Sequence, residues 1–332
     1  MNTSLVTGGA GFIGAHLTHH LINAGHRVVV LDDLSGGFLE NVNKAAVFIQ
    51  GSITDQKLVS EIFQRYKCDY VFHLAAYAAE GLSHFIRRFN YENNLIGSIN
   101  LINNSVLHKI KCFVFTSSIA VYGKGQLPMK EDMKPEPEDP YGIAKYAVEM
   151  DLKAAREMFG LNYIIFRPHN VYGEYQNIGD RYRNVIGIFM NQLLQGKALT
   201  VFGDGNQTRA FSYIDDVAPY IARSVSINEA YNEIINIGGD TDYSVNELAR
   251  TVMDVMGLKQ DIHYQPARNE VIHAYSDHTK SKRIFQILED ELTPLSVGIN
   301  KMAGWVKSVG SRESSIFENI EIAEKLPPIW LK

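Results

Sequence analysis

The sequence predicts an α/β protein built on an open, doubly wound parallel sheet. Three observations carry that prediction. Short β-branched apolar runs alternate with amphipathic segments through the first half of the chain, as they do where helices cover both faces of a parallel sheet. Each run is apolar through its whole length, which fits strands buried on two faces rather than one. A glycine-rich turn joins the first apolar run to the first amphipathic segment.

The first strand is read at Ser4–Thr7, and Gly8-Gly9-Ala10-Gly11-Phe12-Ile13-Gly14 follows it. In this setting Gly8 permits a tight turn, Gly11 lets backbone approach a pyrophosphate, and Gly14 lets helix and strand pack closely; the helix N-terminus then attracts the anion. Ile13, Leu17 and Leu21 repeat at helical spacing, and Gly25 stands where a left-handed residue closes a helix. The second strand is read at Arg27–Leu31. Asp32 follows it, where a carboxylate can take both hydroxyls of an adenosine ribose. Asp33 lies beside it and no arginine occurs in Leu34–Leu39, so a 2′-phosphate would be repelled and NAD is favoured over NADP. A glycine turn alone, or an aspartate closing a strand, has ordinary structural explanations. Together and in this order they describe a Rossmann-type dinucleotide site.

Further strands are read at Ala46–Gln50, Tyr70–Leu74, Cys112–Thr116 and Asn162–Arg167. The fifth runs into Thr116-Ser117-Ser118-Ile119-Ala120-Val121-Tyr122-Gly123, at the carboxyl end of a strand where such sheets open their ligand crevice. Ser118 is placed there to share a substrate proton, although a serine at this point is also an ordinary turn former. After an acid- and proline-rich surface loop at Glu131–Pro140, Asp139 reads as an N-cap and Pro140 as the first helical residue. Tyr141 and Lys145 then share a helix face. The spacing predicts that the ammonium and the helix N-terminus draw the phenol below its usual pKa of about 10, so that Tyr141 can act as a base.

Beyond Arg167 the pattern loosens, with helices predicted at Val185–Gln195 and Val245–Met256 and one more buried strand at Ile234–Ile237. The predicted division is therefore interleaved. Residues 1–167 with 211–238 form the dinucleotide-binding domain, and residues 168–210 with 239–332 form a smaller C-terminal α/β substrate domain.

A chain of 332 residues can bury one large core and a smaller one beside it. Its 37 acids and 32 bases leave a net charge of −5 with no basic stripe, which argues against nucleic acid as a partner. Cys68 and Cys112 lie in apolar surroundings without metal-ligand spacing, so both are read as buried free thiols and no metal site is predicted. There is no charged leader and no apolar run long enough to span a bilayer, and a cytoplasmic protein without membrane contact is expected.

These motifs, with Leu74-Ala75-Ala76, Asn93-Asn94-Leu95-Ile96-Gly97, Arg167-Pro168-His169-Asn170-Val171-Tyr172-Gly173 and Phe202-Gly203-Asp204-Gly205-Asn206-Gln207-Thr208-Arg209, extend over nearly the whole chain. In them the sequence resembles the extended short-chain dehydrogenase/reductases, within the branch of nucleotide-sugar epimerases and dehydratases. The resemblance implies a tightly held NAD. It would be touched at the turn by Gly8, Gly11, Phe12, Ile13 and Gly14, and after the second strand by Asp32 and Asp33. Ser52, Ile53, Leu74, Ala75, Ala76, Asn94 and Thr116 are implied along the rest of its length. Tyr141 is implied as the base, Lys145 on the nicotinamide ribose, and Ser118 on the reacting hydroxyl. Asn170, Val185, Arg209, Glu270 and Ala274 are implied at the nucleotide-diphosphate sugar. Arg209 suits that role independently, since a guanidinium fork pairs bidentately with phosphate oxygens.

Departures from the family pattern narrow the reaction. Ile119 and Ala120 stand where the sugar dehydratases carry an Asp-Glu pair, and Ala120 also stands where decarboxylases have Glu and a 3,5-epimerase has Cys. What remains is oxidation and re-reduction at one carbon, C4, through a 4-keto sugar. A ketoreductase using external cofactor, or a nonenzymatic NAD-sensing module, are the competing readings. Ala274 replaces a bulky Tyr that restricts some epimerases to plain hexoses, which implies room for an N-acetyl group; the match around Arg268 is one residue short. Ser52 replaces the usual Asp at the adenine, and Ala210 the Asp after the phosphate arginine. The segment Asn177–Asn184, with Asp180, Arg181 and Arg183, either reads a substrate group or is a solvated loop. Segments Tyr91–His108 and Tyr141–Phe159 resemble the family's four-helix dimer contact, so a homodimer is expected.

Overall fold

The computed structural model describes residues 1–125, 127–267, 271–288, 291–313 and 316–330. Glu270, an expected substrate contact, and Arg268 lie outside the described residues. The first half runs β1 (Thr3–Thr7), α1 (Phe12–Asn23), β2 (Arg27–Asp32), β3 (Val47–Gln50), α2 (Gln56–Tyr66) and β4 (Tyr70–His73). It continues through short α3 (Glu80–Ser83) and α4 (Arg87–Tyr91), a π-helical turn at Glu92–Ile96, α5 (Gly97–Leu107), β5 (Cys112–Thr116), α6 (Pro140–Phe159) and β6 (Tyr163–Pro168). The second half adds β7 (Val171–Tyr172), α7 (Val185–Leu194), β8 (Leu199–Phe202), β9 (Thr208–Ala210), β10 (Ser212–Tyr213), α8 (Ala218–Arg223) and β11 (Ile234–Ile237). Last come β12 (Asp242–Ser244), α9 (Val245–Met256), β13 (Ile262–Gln265), β14 (His273–Ala274), α10 (Thr279–Phe285) and α11 (Leu295–Val309).

Seven strands form one parallel sheet in the order β11-β6-β5-β4-β1-β2-β3. The predicted strands all fall in it, within a residue of their ends. Alternation along β1 shows why both faces are apolar: Leu5 packs with Val59, Phe63, Leu101 and Val148 from α2, α5 and α6, whereas Val6 packs with Leu17, Leu21 and Ile221 from α1 and α8. The order turns back between β1 and β4, so a crevice opens above their carboxyl ends.

A second core gathers α7, α9 and α11 around Phe189, Leu248, Val252, Ile299 and Met302. Small sheets β12-β9-β14, β13-β8 and β10-β7 surround it. Helix α10 falls in the part predicted to belong wholly to this domain, yet its Ile284 and Phe285 pack with Phe166 and Ile235 of the large sheet. Both cysteines are buried and free.

Candidate active site

The glycine turn has the backbone its sequence demands. Gly8 has φ +73°, in the region that side chains disfavour. A Cβ on Gly14 would stand 2.1 Å from the Gly8 carbonyl oxygen, so helix α1 can rest on the turn only without one. Gly11 caps the helix from an extended conformation with no side chain in the way, which leaves the first amides of a 12-residue helix open toward the crevice. At the end of β2 the Asp32 carboxylate accepts from the Leu34 amide at 2.8 Å and from the Ala10 amide at 3.0 Å. Burial raises its pKa and those amides pull it back.

The catalytic candidates meet at the carboxyl end of β5. Asp139 accepts from the Gly142 amide at 2.9 Å and Pro140 opens the helix, as predicted. Tyr141, Lys145 and Glu149 therefore stack on the buried face of α6 at one-turn intervals. Ser118 stands beside Tyr141 and lowers the pKa of its phenol, and its hydroxyl accepts from the Ala120 amide at 3.1 Å. Lys145 donates through Nζ to the Thr116 carbonyl at 2.8 Å, and burial draws its pKa down to about 7 while Glu149 opposes the change.

One expectation is corrected here. The phenol of Tyr141 was predicted to be more acidic than usual, but burial pushes it well above its ordinary value, and the charges of Asp139 and Glu80 add to the rise. The ammonium is 5.8 Å from the phenol ring centre and is spent on a carbonyl. The helix N-terminus, moreover, is already neutralised by the carboxylate that caps it. What favours the phenolate is Ser118 beside it and the charge of the nearby Arg183.

All of this lines one cleft of about 1580 Å³ between the two cores, larger than the usual single-ligand pocket of roughly 300–1,000 Å³. Its walls include Gly8, Gly11, Phe12, Ile13, Gly14, Asp32, Asp33, Ile53, Leu74, Ala75, Ala76, Thr116, Ser118, Tyr141 and Lys145. Asn170, Val185, Arg209 and Ala274 line it from the other side. The hydroxyl of Thr116 is buried without a hydrogen-bond partner among the described residues, as a group awaiting a ligand would be. These features fit a dinucleotide along the carboxyl ends of β2, β1, β4 and β5.

Two expected contacts are placed elsewhere. Asn94 does not line the cleft; its amide side chain brackets the main chain of Tyr77, accepting from the amide at 2.8 Å and donating to the carbonyl at 3.1 Å. It holds the Leu74–Tyr77 loop in shape instead. Ser52 turns aside to bond Thr54. Arg209 donates to the carbonyls of Thr208, Val271 and Ile272, and Asn170, with φ +40°, donates to the Ala210 carbonyl at 3.0 Å. Gly36, Tyr77 and a C-terminal segment ending in Trp330 also line the cleft, with no motif in the sequence to mark them. That segment has no periodicity to read.

No helix among the described residues is long and apolar enough to cross a membrane. Residues 4–238 match the model of the NAD dependent epimerase/dehydratase family. A UDP-glucose 4-epimerase of Mycolicibacterium smegmatis is 32% identical over 289 residues, covering 85% of this chain and 91% of that one. The structure of a UDP-glucose 4-epimerase from Thermotoga maritima, solved with UDP-glucose, superposes with a TM-score of 0.88 at 34% identity, over 92% of this chain and 99% of that one. A UDP-glucuronic acid 4-epimerase from Bacillus cereus, solved with UDP-glucuronic acid and NAD, gives 0.85 at 28% identity over the same shares of the two chains. With the glycine turn, the crevice and the serine, tyrosine and lysine all in register, this chain belongs to the NAD dependent epimerase/dehydratase family.

Proposed function

We propose that the protein is an isomerase that inverts C4 of a UDP-sugar through a transient 4-keto intermediate. The observation that carries this reading is the convergence of Ser118, Tyr141 and Lys145 beside the dinucleotide groove, with Ile119 and Ala120 offering no acid or base for elimination. A positioned acid or base is worth ~10²–10⁴-fold, so loss of water is slow here. When bound, NAD supplies the oxidant for the sugar carbon and the reductant that restores it.

The chain's own residues handle the proton and the geometry. Tyr141 acts in its phenolate form: that oxygen takes the proton of the C4 hydroxyl and, as the phenol, gives it back after the sugar has turned over. Ser118 keeps that oxygen aimed into the cleft. Lys145 would hold the nicotinamide ribose, its pKa drawn down to about 7 by burial. Arg209 and Asn170 lie across the cleft from Tyr141 in the second domain and hold the diphosphate while the sugar swings. Ala274 is buried on strand β14 next to Arg209 and lines the same wall. Its single methyl leaves room for an N-acetyl group, so UDP-N-acetylhexosamines belong to the substrate range.

A homodimer through α5 and α6 is part of this reading. Ile143 and Met150 on α6 stand 40% and 48% exposed, and Ile96, which ends the turn just before α5, 53%, apolar side chains that a second copy would cover. A cytoplasmic location goes with such a substrate. The decisive experiment incubates purified protein with UDP- and GDP-sugars without added cofactor, following conversion by NMR and NADH by absorbance. Conversion with no net NADH is expected; a requirement for stoichiometric NAD(P)H identifies a reductase instead. Sedimentation as a monomer removes the dimer.

A further inference from the structure

The loop between β7 and α7 carries Arg183, whose charge favours the Tyr141 phenolate but to whose guanidinium the chemistry above assigns no ligand. Its guanidinium spans the crevice from the second domain to the first. The guanidinium carbon lies 5.1 Å from the ring centre of Tyr77, in the loop after β4. On the other side, a Cβ built on Gly36, in the loop after β2, would come within 2.9 Å of its terminal nitrogen Nη2. Since β1 lies between β2 and β4 in the sheet, the side chain bridges the point above the Gly8–Gly14 turn. A dinucleotide running from Asp32 to Lys145 must cross there with its diphosphate.

The group is also built to wait for an anion. Nε donates to Asp180 at 2.6 Å, which fixes the plane of the fork, and neither terminal nitrogen has a hydrogen-bond partner among the described residues. Asp180 is itself held by the Tyr182 amide at 2.9 Å. Tyr182 in turn packs its ring 5.3 Å from Trp330 and accepts from the Phe317 amide at 3.0 Å. The side chain of Arg183 is only 17% exposed, and a buried guanidinium with an unused fork is a strong ligand for phosphate oxygens.

We propose that Arg183 grips the diphosphate of NAD from the substrate domain, opposite the helix α1 N-terminus, and so keeps the cofactor from leaving between turnovers. The inference rests on the NAD-dependent reading above. A diphosphate also occurs in the sugar nucleotide, so the test separates the two. Arg183→Gln and Arg183→Lys are purified beside the wild type, acid-released NAD is measured per chain after desalting, and NAD and UDP are titrated separately by calorimetry. Loss of one charge-assisted fork is expected to weaken NAD about 10- to 100-fold, with Arg183→Lys intermediate and UDP binding unchanged. Weaker UDP binding with NAD intact overturns the proposal, as does unchanged binding of both; either leaves the epimerase reading standing. A wild type that binds no NAD overturns both. Thermal melting of the NAD-free variants, expected to match the wild type, shows that the loss is not one of folding.

Discussion

Glu149 receives a bidentate ion pair from Arg167, at 2.9 and 2.5 Å, with both side chains sealed from solvent directly beneath Lys145. The same carboxylate accepts from Ser117 at 2.5 Å, and the Arg167 guanidinium lies 4.6 Å from the ring centre of Tyr122. One anion thus ties helix α6 to strands β5 and β6 under the catalytic lysine. A buried pair of this kind adds little over apolar packing, but breaking it leaves a charge stranded. Its value here is positional.

Glu149→Ala should accordingly destabilise the protein by about 3–5 kcal/mol, whereas Glu149→Leu combined with Arg167→Met should recover most of that loss. Denaturant melts of the three proteins decide it. If the double variant is no more stable than the single one, the stranded charge is not the cause.

Tyr141→Phe should fold and keep its NAD yet lose turnover by ~10²–10⁴-fold, as removal of a positioned base does. Ser118→Ala tests what sets the acidity of the Tyr141 phenol. The Ser118 hydroxyl lowers the phenol's pKa, so its loss should move the acid limb of the kcat profile to higher pH. A limb that stays in place would show that Ser118 does not tune the base.

Lys145 has its pKa drawn down to about 7 in the folded protein, against about 10.4 in an open chain. Between those values the unfolded chain holds a proton that the folded chain lacks, so stability rises with pH across that window. Below it both states are protonated and the whole cost of the buried ammonium is felt. Lys145→Met should therefore raise the Tm of the NAD-free protein most at about pH 6 and progressively less toward about pH 9. A gain that does not vary with pH would place the amine's titration outside this window.

Ala274→Tyr should shrink the sugar end of the cleft. Turnover of a UDP-N-acetylhexosamine is expected to fall at least roughly tenfold in kcat/KM, a usual scale for crowding a pocket, while UDP-glucose remains a substrate. Equal loss on both substrates would mean that the wall is set elsewhere.

Strand positions were legible because a strand buried on two faces is written as a largely apolar run, as in β2, β4 and β5, and the half-buried edge strand β3 was apolar enough to read the same way. The glycine turn was equally plain, since only glycine tolerates φ +73° at Gly8 and a 2.1 Å approach at Gly14. Tyr141 and Lys145 followed from helical spacing after an Asp-Pro start. These are local constraints, carried by neighbours in the chain.

Tertiary structure alone decided the rest. Whether Tyr141 is more or less acidic than a free phenol depends on burial and on Asp139, Glu80 and Arg183, which reach it from three different segments. Asn94 turned from a presumed cofactor contact into a brace for Tyr77, because a side-chain amide goes to whichever backbone groups the fold leaves within reach. Arg183 was visible as a charge in a loop. Its place between Gly36 and Tyr77 is fixed by a packing relation among residues distant in sequence, and periodicity along a chain carries no record of that distance.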